Sequence, residues 1–321
     1  MSQVTPLEND IFLLDTGFQR PQMAACYALK NSQDRWAVVE TGTKDTVPKL
    51  LAFFQDQDVA LEQVDYVIVT HVHLDHAGGA GLLMQSLPNA RLLVHEKGAR
   101  HMIAPAKLQA GATAVYGEEE FTKTYGDLIP VDEGRVDIMA DGQELNWGNR
   151  ILTFIDTPGH ANHHFCIFDS QSRGIFTGDT FGLAYKELVT ANGPFIFPTT
   201  TPVQFDPEAL KASIQRLMGL EPEVMFLTHF GDIYEPQHLA LSLCDQVDEL
   251  VQLAHKYQGL EESLQVDGMY RELMALLLKK LQKHGCERPL SEQKAILDSD
   301  VLLNSKGLFV YNQRQATQNT A

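Results

Sequence analysis

Apolar residues recur along this chain with two different periods, and the change of period divides it. Ile11–Leu14, Ala24–Leu29 and Trp36–Val39 are short apolar runs bounded by polar or glycine residues, the pattern of β-strands. Asp45–Phe54 places Val47, Leu50, Leu51 and Phe54 on one helical face. Val64–Val69 is read as a central strand buried on both faces. A helix over Ala77–Leu87 and a strand over Arg91–Val94 follow. Further strands are expected at Arg150–Ile155, Phe165–Phe168, Gly174–Thr177 and Val224–Leu227. Strands and helices mixed in this order predict a layered α/β protein.

Two stretches fit the rhythm less well. Residues 104–135 mix Gly and Ala with the acidic run Glu118–Glu120. Residues 181–205 carry Phe181, Tyr185, Phe195, Phe197 and Phe205 among Gly, Pro and Thr, as a long loop with an aromatic lining would. After about residue 235 only helical periodicity remains, in Leu239–Tyr257, Glu262–His284 and Ser291–Leu303, punctuated by Gly259, Gly285 and Pro289. The expected organisation is a first domain over 1–235, a helical extension over 236–313 and a polar tail over 314–321.

Composition narrows the functional classes. The chain has 321 residues, 44% hydrophobic and 21% charged, as ordinary globular proteins do. Its formal charge of −17 makes general binding to nucleic acid or to an anionic membrane unfavourable. The cysteines Cys26, Cys166, Cys244 and Cys286 form no C-x-x-C pair, so reduced thiols are expected rather than a disulfide frame or a cysteine-rich zinc site. With no signal-like N-terminus and no long apolar run, the expected address is the cytoplasm.

The candidate chemistry lies directly after the Val64–Val69 strand. Thr70-His71-Val72-His73-Leu74-Asp75-His76-Ala77-Gly78-Gly79 packs three histidines and one aspartate into six residues. In extended backbone His71 and His73 point to the same side. Asp75 and His76 stand at the turn into a helix, where they can aim at a second point nearby. Such a turn would seed a two-metal site. Three more candidate ligands close apolar runs: His160 in Asp156-Thr157-Pro158-Gly159-His160, Asp179 in Phe176-Thr177-Gly178-Asp179, and His229 in Phe226-Leu227-Thr228-His229.

This ordered set resembles the metallo-β-lactamase-fold hydrolase superfamily over about residues 11–235. The resemblance implies a four-layer αββα sandwich with a C-terminal helical appendage. It implies two divalent cations, zinc first with iron or manganese as alternatives. His71, His73 and His160 would hold one, Asp75, His76 and His229 the other, and Asp179 would bridge them. The implied activity is hydrolysis of a small-molecule ester-type bond, lactone or thioester, by a hydroxide bridging the metals. Asp75 would shuttle the proton, and Tyr185 would stabilise the carbonyl oxygen, as a tyrosine in a similar place does in lactonases. Asp179 stands where true zinc β-lactamases have Cys, which argues against antibiotic hydrolysis. The helical appendage is similar to that of glyoxalase II, and the H-x-H-x-D-H run to that of N-acyl homoserine lactonases. Phosphodiester hydrolysis and a non-catalytic regulatory role are the alternatives. The expected partner is a small-molecule substrate, with no nucleic acid or membrane, and the helical tail offers a surface for a homodimer.

Overall fold

Tyr27 and Cys26 are neighbours in sequence, yet their side chains enter two different cores, and that alternation organises the main sheet. The computed structural model describes residues 4–200 and 203–318. The main sheet has seven strands in chain order: β1 (Val4–Pro6), β2 (Ile11–Asp15), β3 (Ala25–Lys30), β4 (Trp36–Val39), β5 (Val64–Ile68), β6 (Arg91–His95) and β7 (Val136–Met139). Pairing is antiparallel from β1 to β4 and parallel from β4 to β7. Parallel neighbours need crossover connections. The helices supplying them are α1 (Val47–Asp56), α2 (Leu74–Ala77), α3 (Ala80–Ser86), α4 (Glu96–Ile103), α5 (Ala106–Tyr116) and α6 (Glu118–Thr124).

A second sheet carries β8 (Glu144–Trp147), β9 (Arg150–Asp156), β10 (Phe165–Asp169), β11 (Gly174–Gly178), β12 (Val224–Leu227) and β13 (Gly231–Tyr234). Only β11 and β12 run parallel there. The remaining helices are α7 (Pro207–Met218), α8 (Gln237–Tyr257), α9 (Glu262–Lys283) and α10 (Leu290–Gln318). Two mixed sheets with helices, followed by the long helices α8–α10, are the elements of the αββα sandwich and appendage expected from the sequence. No described helix is long and apolar enough to cross a membrane.

The chain divides into two compact units. One runs to Asp156 and adds His163–Gly178 and Pro222–Tyr234; the other takes Thr157–Asn162, Asp179–Glu221 and the chain from Glu235. The first holds both sheets. Ala25, Tyr27 and Leu29 join Phe154, Phe165, Phe176 and Phe226 of the second sheet in one apolar core. The Tyr27 ring lies 5.2 Å from that of Phe176, and its hydroxyl donates to Leu227 O at 2.5 Å. Cys26 and Ala28 face the other way, with Trp36, Val38, Leu50, Phe53 and Phe54, where α1 packs. Each aromatic buried there contributes roughly 1.5–3 kcal/mol.

The second unit fastens its aromatic segment to its helices. Phe181, Tyr185, Phe195, Phe197 and Phe205 are all buried. The Tyr185 hydroxyl lies 3.0 Å and 3.2 Å from the two carboxylate oxygens of Asp300 on α10. Thr200 N donates to Asn304 Oδ1 at 2.6 Å, and Gln246 of α8 donates to Ile196 O at 3.0 Å. The stretch expected to be a loop is therefore irregular but pinned, and its rings serve as packing.

Other expectations needed adjustment. Gly78 and Gly79 split the expected Ala77–Leu87 helix into α2 and α3. The 104–135 stretch contains α5 and α6; among the described side chains of α5 none is fully buried, so no apolar stripe marks it. Within β5, Asp65 and Tyr66 are only half-buried, and Asp65 accepts from Trp147 Nε1 at 2.8 Å. Helix α10 continues through Arg314 to Gln318.

One buried ion pair in the first unit is a sensitive point. Arg150 on β9 and Asp169 on β10 are 1% and 0% exposed. Arg150 Nη1 donates to Asp169 Oδ2 at 2.6 Å, and its other nitrogens reach Lys30 O and Asn9 O. Removing one partner strands a buried charge. Arg150→Met is expected to cost about 3–5 kcal/mol in urea unfolding, with much of the loss recovered when Asp169→Leu is added. A single mutant as stable as the parent would refute this.

Candidate metal centre

The loops after β4 and β5 meet because Gly79 has no side chain. A Cβ there would lie 2.8 Å from Thr43 O and 2.9 Å from Thr41 O. Gly79 N instead donates to Gly42 O at 2.8 Å, and His76 O accepts from Thr41 N at 2.7 Å. His73 occupies the N-cap position of α2 in extended conformation, and Asp75 and His76 lie inside the helix. His71 and His76 are fully buried.

In the first unit, two histidines converge on one carboxylate. His76 Nδ1 lies 3.1 Å from Glu40 Oε1, and His229 Nδ1 lies 2.7 Å from Met23 O. A carbonyl only accepts, so His229 carries its proton on Nδ1; beside the Glu40 carboxylate His76 does the same. Each ring then turns Nε2 towards Asp75, whose Oδ2 is 3.7 Å from His76 Nε2 and 3.3 Å from His229 Nε2. Two donors bound at 2.0–2.1 Å to one tetrahedral cation stand about 3.3–3.4 Å apart. The Asp75, His76 and His229 donor atoms all fall within 4.8 Å of one another. A divalent cation fits this set, and imidazole with carboxylate suits zinc, iron and manganese alike.

His71 and His73 make the other half of the motif. His71 Nδ1 is 3.0 Å from Thr70 Oγ1, and its Nε2 is 2.8 Å from His73 Nδ1. The His164 ring centroid is 4.8 Å from that of His71. Gly178 (φ +48) makes room for this packing, because a Cβ there would lie 2.5 Å from both His164 Nε2 and Thr70 Oγ1.

The second unit holds the remaining pair. His160 Nε2 is 3.3 Å from Asp179 Oδ2, again the spacing of two donors on one cation. Ser213 of α7 donates to Pro158 O at 2.7 Å, and Asp206 N donates to Gly159 O at 2.8 Å, which fixes the turn before His160. Tyr185 is buried with its hydroxyl against Asp300. Of the lysines in the appendage, Lys280 pairs with Glu249 at 2.7 Å.

Sequence reasoning missed Glu40. Its carboxylate, 1% exposed, accepts from Thr70 N at 3.3 Å and from Thr70 Oγ1, and lies 3.4 Å from Thr228 Oγ1. The only signal in the sequence was an acid directly after an apolar run and before Thr41-Gly42; in the structure its backbone sits at φ +65. Two other aspartates, within or at the end of strands, have structural partners. Asp65 binds Arg35 and Trp147, and Asp156 lies 3.0 Å from His95 Nε2.

The sequence is 30% identical to the metallo-beta-lactamase fold-containing protein ST1585 of Sulfurisphaera tokodaii over 175 residues, 53% of this chain and 62% of that protein. It is 28% identical to a hydroxyacylglutathione hydrolase of Aeromonas hydrophila over 189 residues, 59% of this chain and 54% of that enzyme. The chain thus spans less than two thirds of either relative. In structure it is similar to the metallo-beta-lactamase family protein TTHA1429 of Thermus thermophilus, with a TM-score of 0.64, 20% identity, and coverage of 96% of this chain and 94% of that one. That likeness is one of fold. The model of the metallo-beta-lactamase superfamily matches residues 19–229, the span that contains every predicted ligand, and the chain belongs to that superfamily.

Proposed function

We propose that the protein is a dinuclear metal-dependent hydrolase that cleaves a small-molecule ester-type bond, a lactone or a thioester. The observation that carries this reading is the clamping of His76 and His229 at Nδ1, which aims both Nε2 atoms at the Asp75 carboxylate. A histidine held this way has a fixed tautomer and ring orientation, as metal ligands need. In this reading His71, His73 and His160 would hold one cation and Asp75, His76 and His229 the other, with Asp179 as the ligand the two would share. Two bound divalent cations would supply hydroxide at neutral pH and polarise the scissile carbonyl.

The chain's own groups complete the chemistry. The Asp75 side chain is 24% exposed, so it can take a proton from the attacking water and return it to the leaving alkoxide or thiolate. The hydroxyacylglutathione hydrolase relative supports the thioester arm. Tyr185 is the candidate donor to the carbonyl oxygen, although its single hydroxyl hydrogen is directed at Asp300.

Acid release from acyl homoserine lactones and from lactoylglutathione, followed by pH-stat, tests the activity and separates its two arms. Stripping metal with a chelator is expected to abolish turnover and zinc, manganese or iron(II) to restore it; full turnover by metal-free protein would sink the reading. His71→Ala and Asp179→Ala should each lower kcat/KM by about 100-fold or more. Glu40→Gln removes the carboxylate behind His76 and should weaken metal binding about 10–100-fold in competition with a chromogenic chelator. Tyr185→Phe divides two roles for the hydroxyl. A kcat loss of about 100-fold assigns it to the carbonyl, whereas a lowered Tm with kcat retained assigns it to Asp300.

A further inference from the structure

From Lys97 to Gly117 the chain carries the cations Lys97, Arg100 and Lys107 and no carboxylate. With 42 Asp and Glu among 321 residues, a stretch of that length would carry about three acids by composition alone. This run forms α4 beyond its first residue, Glu96, and all of α5, and the Glu118–Glu120 run of α6 follows it, all in the first unit.

Helix α4 packs beside the histidines of the motif. Gly98 allows the approach, since a Cβ there would lie 2.9 Å from Val72 Cγ1 and 3.8 Å from His163 Cβ. The His163 ring centroid is 5.5 Å from that of His73, and 6.2 Å from that of His71 with the planes 13° apart. The His101 ring on α4 follows at 6.5 Å from His163. Arg100 Nε donates to His101 Nε2 at 3.4 Å. Burial first, then the charges of Arg100 and Lys107, hold the His101 pKa below its ordinary value. The path runs from His73 through His163 and His101 to two exposed cations.

We infer that this path is an anion-recognition arm of the centre, in which Arg100 and Lys107 bind a carboxylate or phosphate on the part of the substrate remote from the scissile bond. The inference rests on the hydrolase reading and adds to it the substrate class: an ester or thioester with an anionic tail. A guanidinium matches carboxylate and phosphate oxygens in a bidentate fork. On a chain of charge −17, two exposed cations also give an anion a favoured approach. Glutathione carboxylates and coenzyme A phosphates share this chemistry, so the test carries both.

The full-length, metal-loaded protein is compared with Arg100→Gln and with Arg100→Gln/Lys107→Gln, both changes at exposed positions. The substrates are lactoylglutathione, acetyl-coenzyme A and the uncharged S-ethyl thioacetate. The ratio of kcat/KM on an anionic thioester to that on the neutral one should fall about tenfold in the single variant and further in the double, through KM. In the parent the ratio should also shrink with added salt. The arm whose ratio falls identifies the anion. Isothermal titration with glutathione and with coenzyme A gives a readout without turnover, and Kd should weaken about tenfold in the single variant. Neutral thioester turnover, with ratio and Kd both unchanged within about twofold, overturns the arm and leaves the hydrolase reading standing. No turnover of any substrate removes the hydrolase reading, and the Kd comparison then decides the patch alone.

Discussion

The first unit is built around a buried carboxylate. Glu40 follows β4, and its oxygens gather Thr70 after β5, His76 within α2 and Thr228 after β12. An anion taken out of water costs several kcal/mol unless its lone pairs are satisfied. Glu40 meets that cost by drawing the ends of three strands to one point. The same contacts hold the His76 ring in place, and through Thr70 they reach His71. The alignment of donor atoms is thus a by-product of solving a desolvation problem in the fold.

The sequence was most legible where burial imposes a period. Strands β2 to β6 and β9 to β12 were found within a residue or so of their bounds, because each presents apolar side chains to one or two cores. The strands missed were β1, β7, β8 and β13, each at a sheet edge, where one flank lacks a partner strand and the apolar signal is diluted. Helix α7 was missed despite an Asp206 N-cap and Pro207, both local start signals. Long helices with buried stripes, α8 and α9, were plain.

The candidate ligands were legible for a different reason. His71, His73, Asp75 and His76 are dense in sequence, and His160, Asp179 and His229 each close an apolar run. Glu40 escaped because a single acid after a strand has no spacing to betray it. Met23 escaped because only its carbonyl acts, and any residue supplies one. Groups that orient a ligand rather than bind it leave little trace in residue type, and only the folded chain reveals them.

The fastening of the aromatic segment sets an order of assembly. Tyr185 meets its anchor Asp300 across a separation of 115 residues, and Thr200 meets Asn304 across 104. Closing loops of that length is slow compared with local helix formation. During synthesis Phe205 emerges well before Tyr311 of α10, whose ring lies 5.8 Å from its own, and Phe195 before His284 at the end of α9, 5.6 Å away. The second unit therefore passes through an interval with a cluster of apolar rings exposed, the condition under which nascent chains aggregate or recruit chaperones.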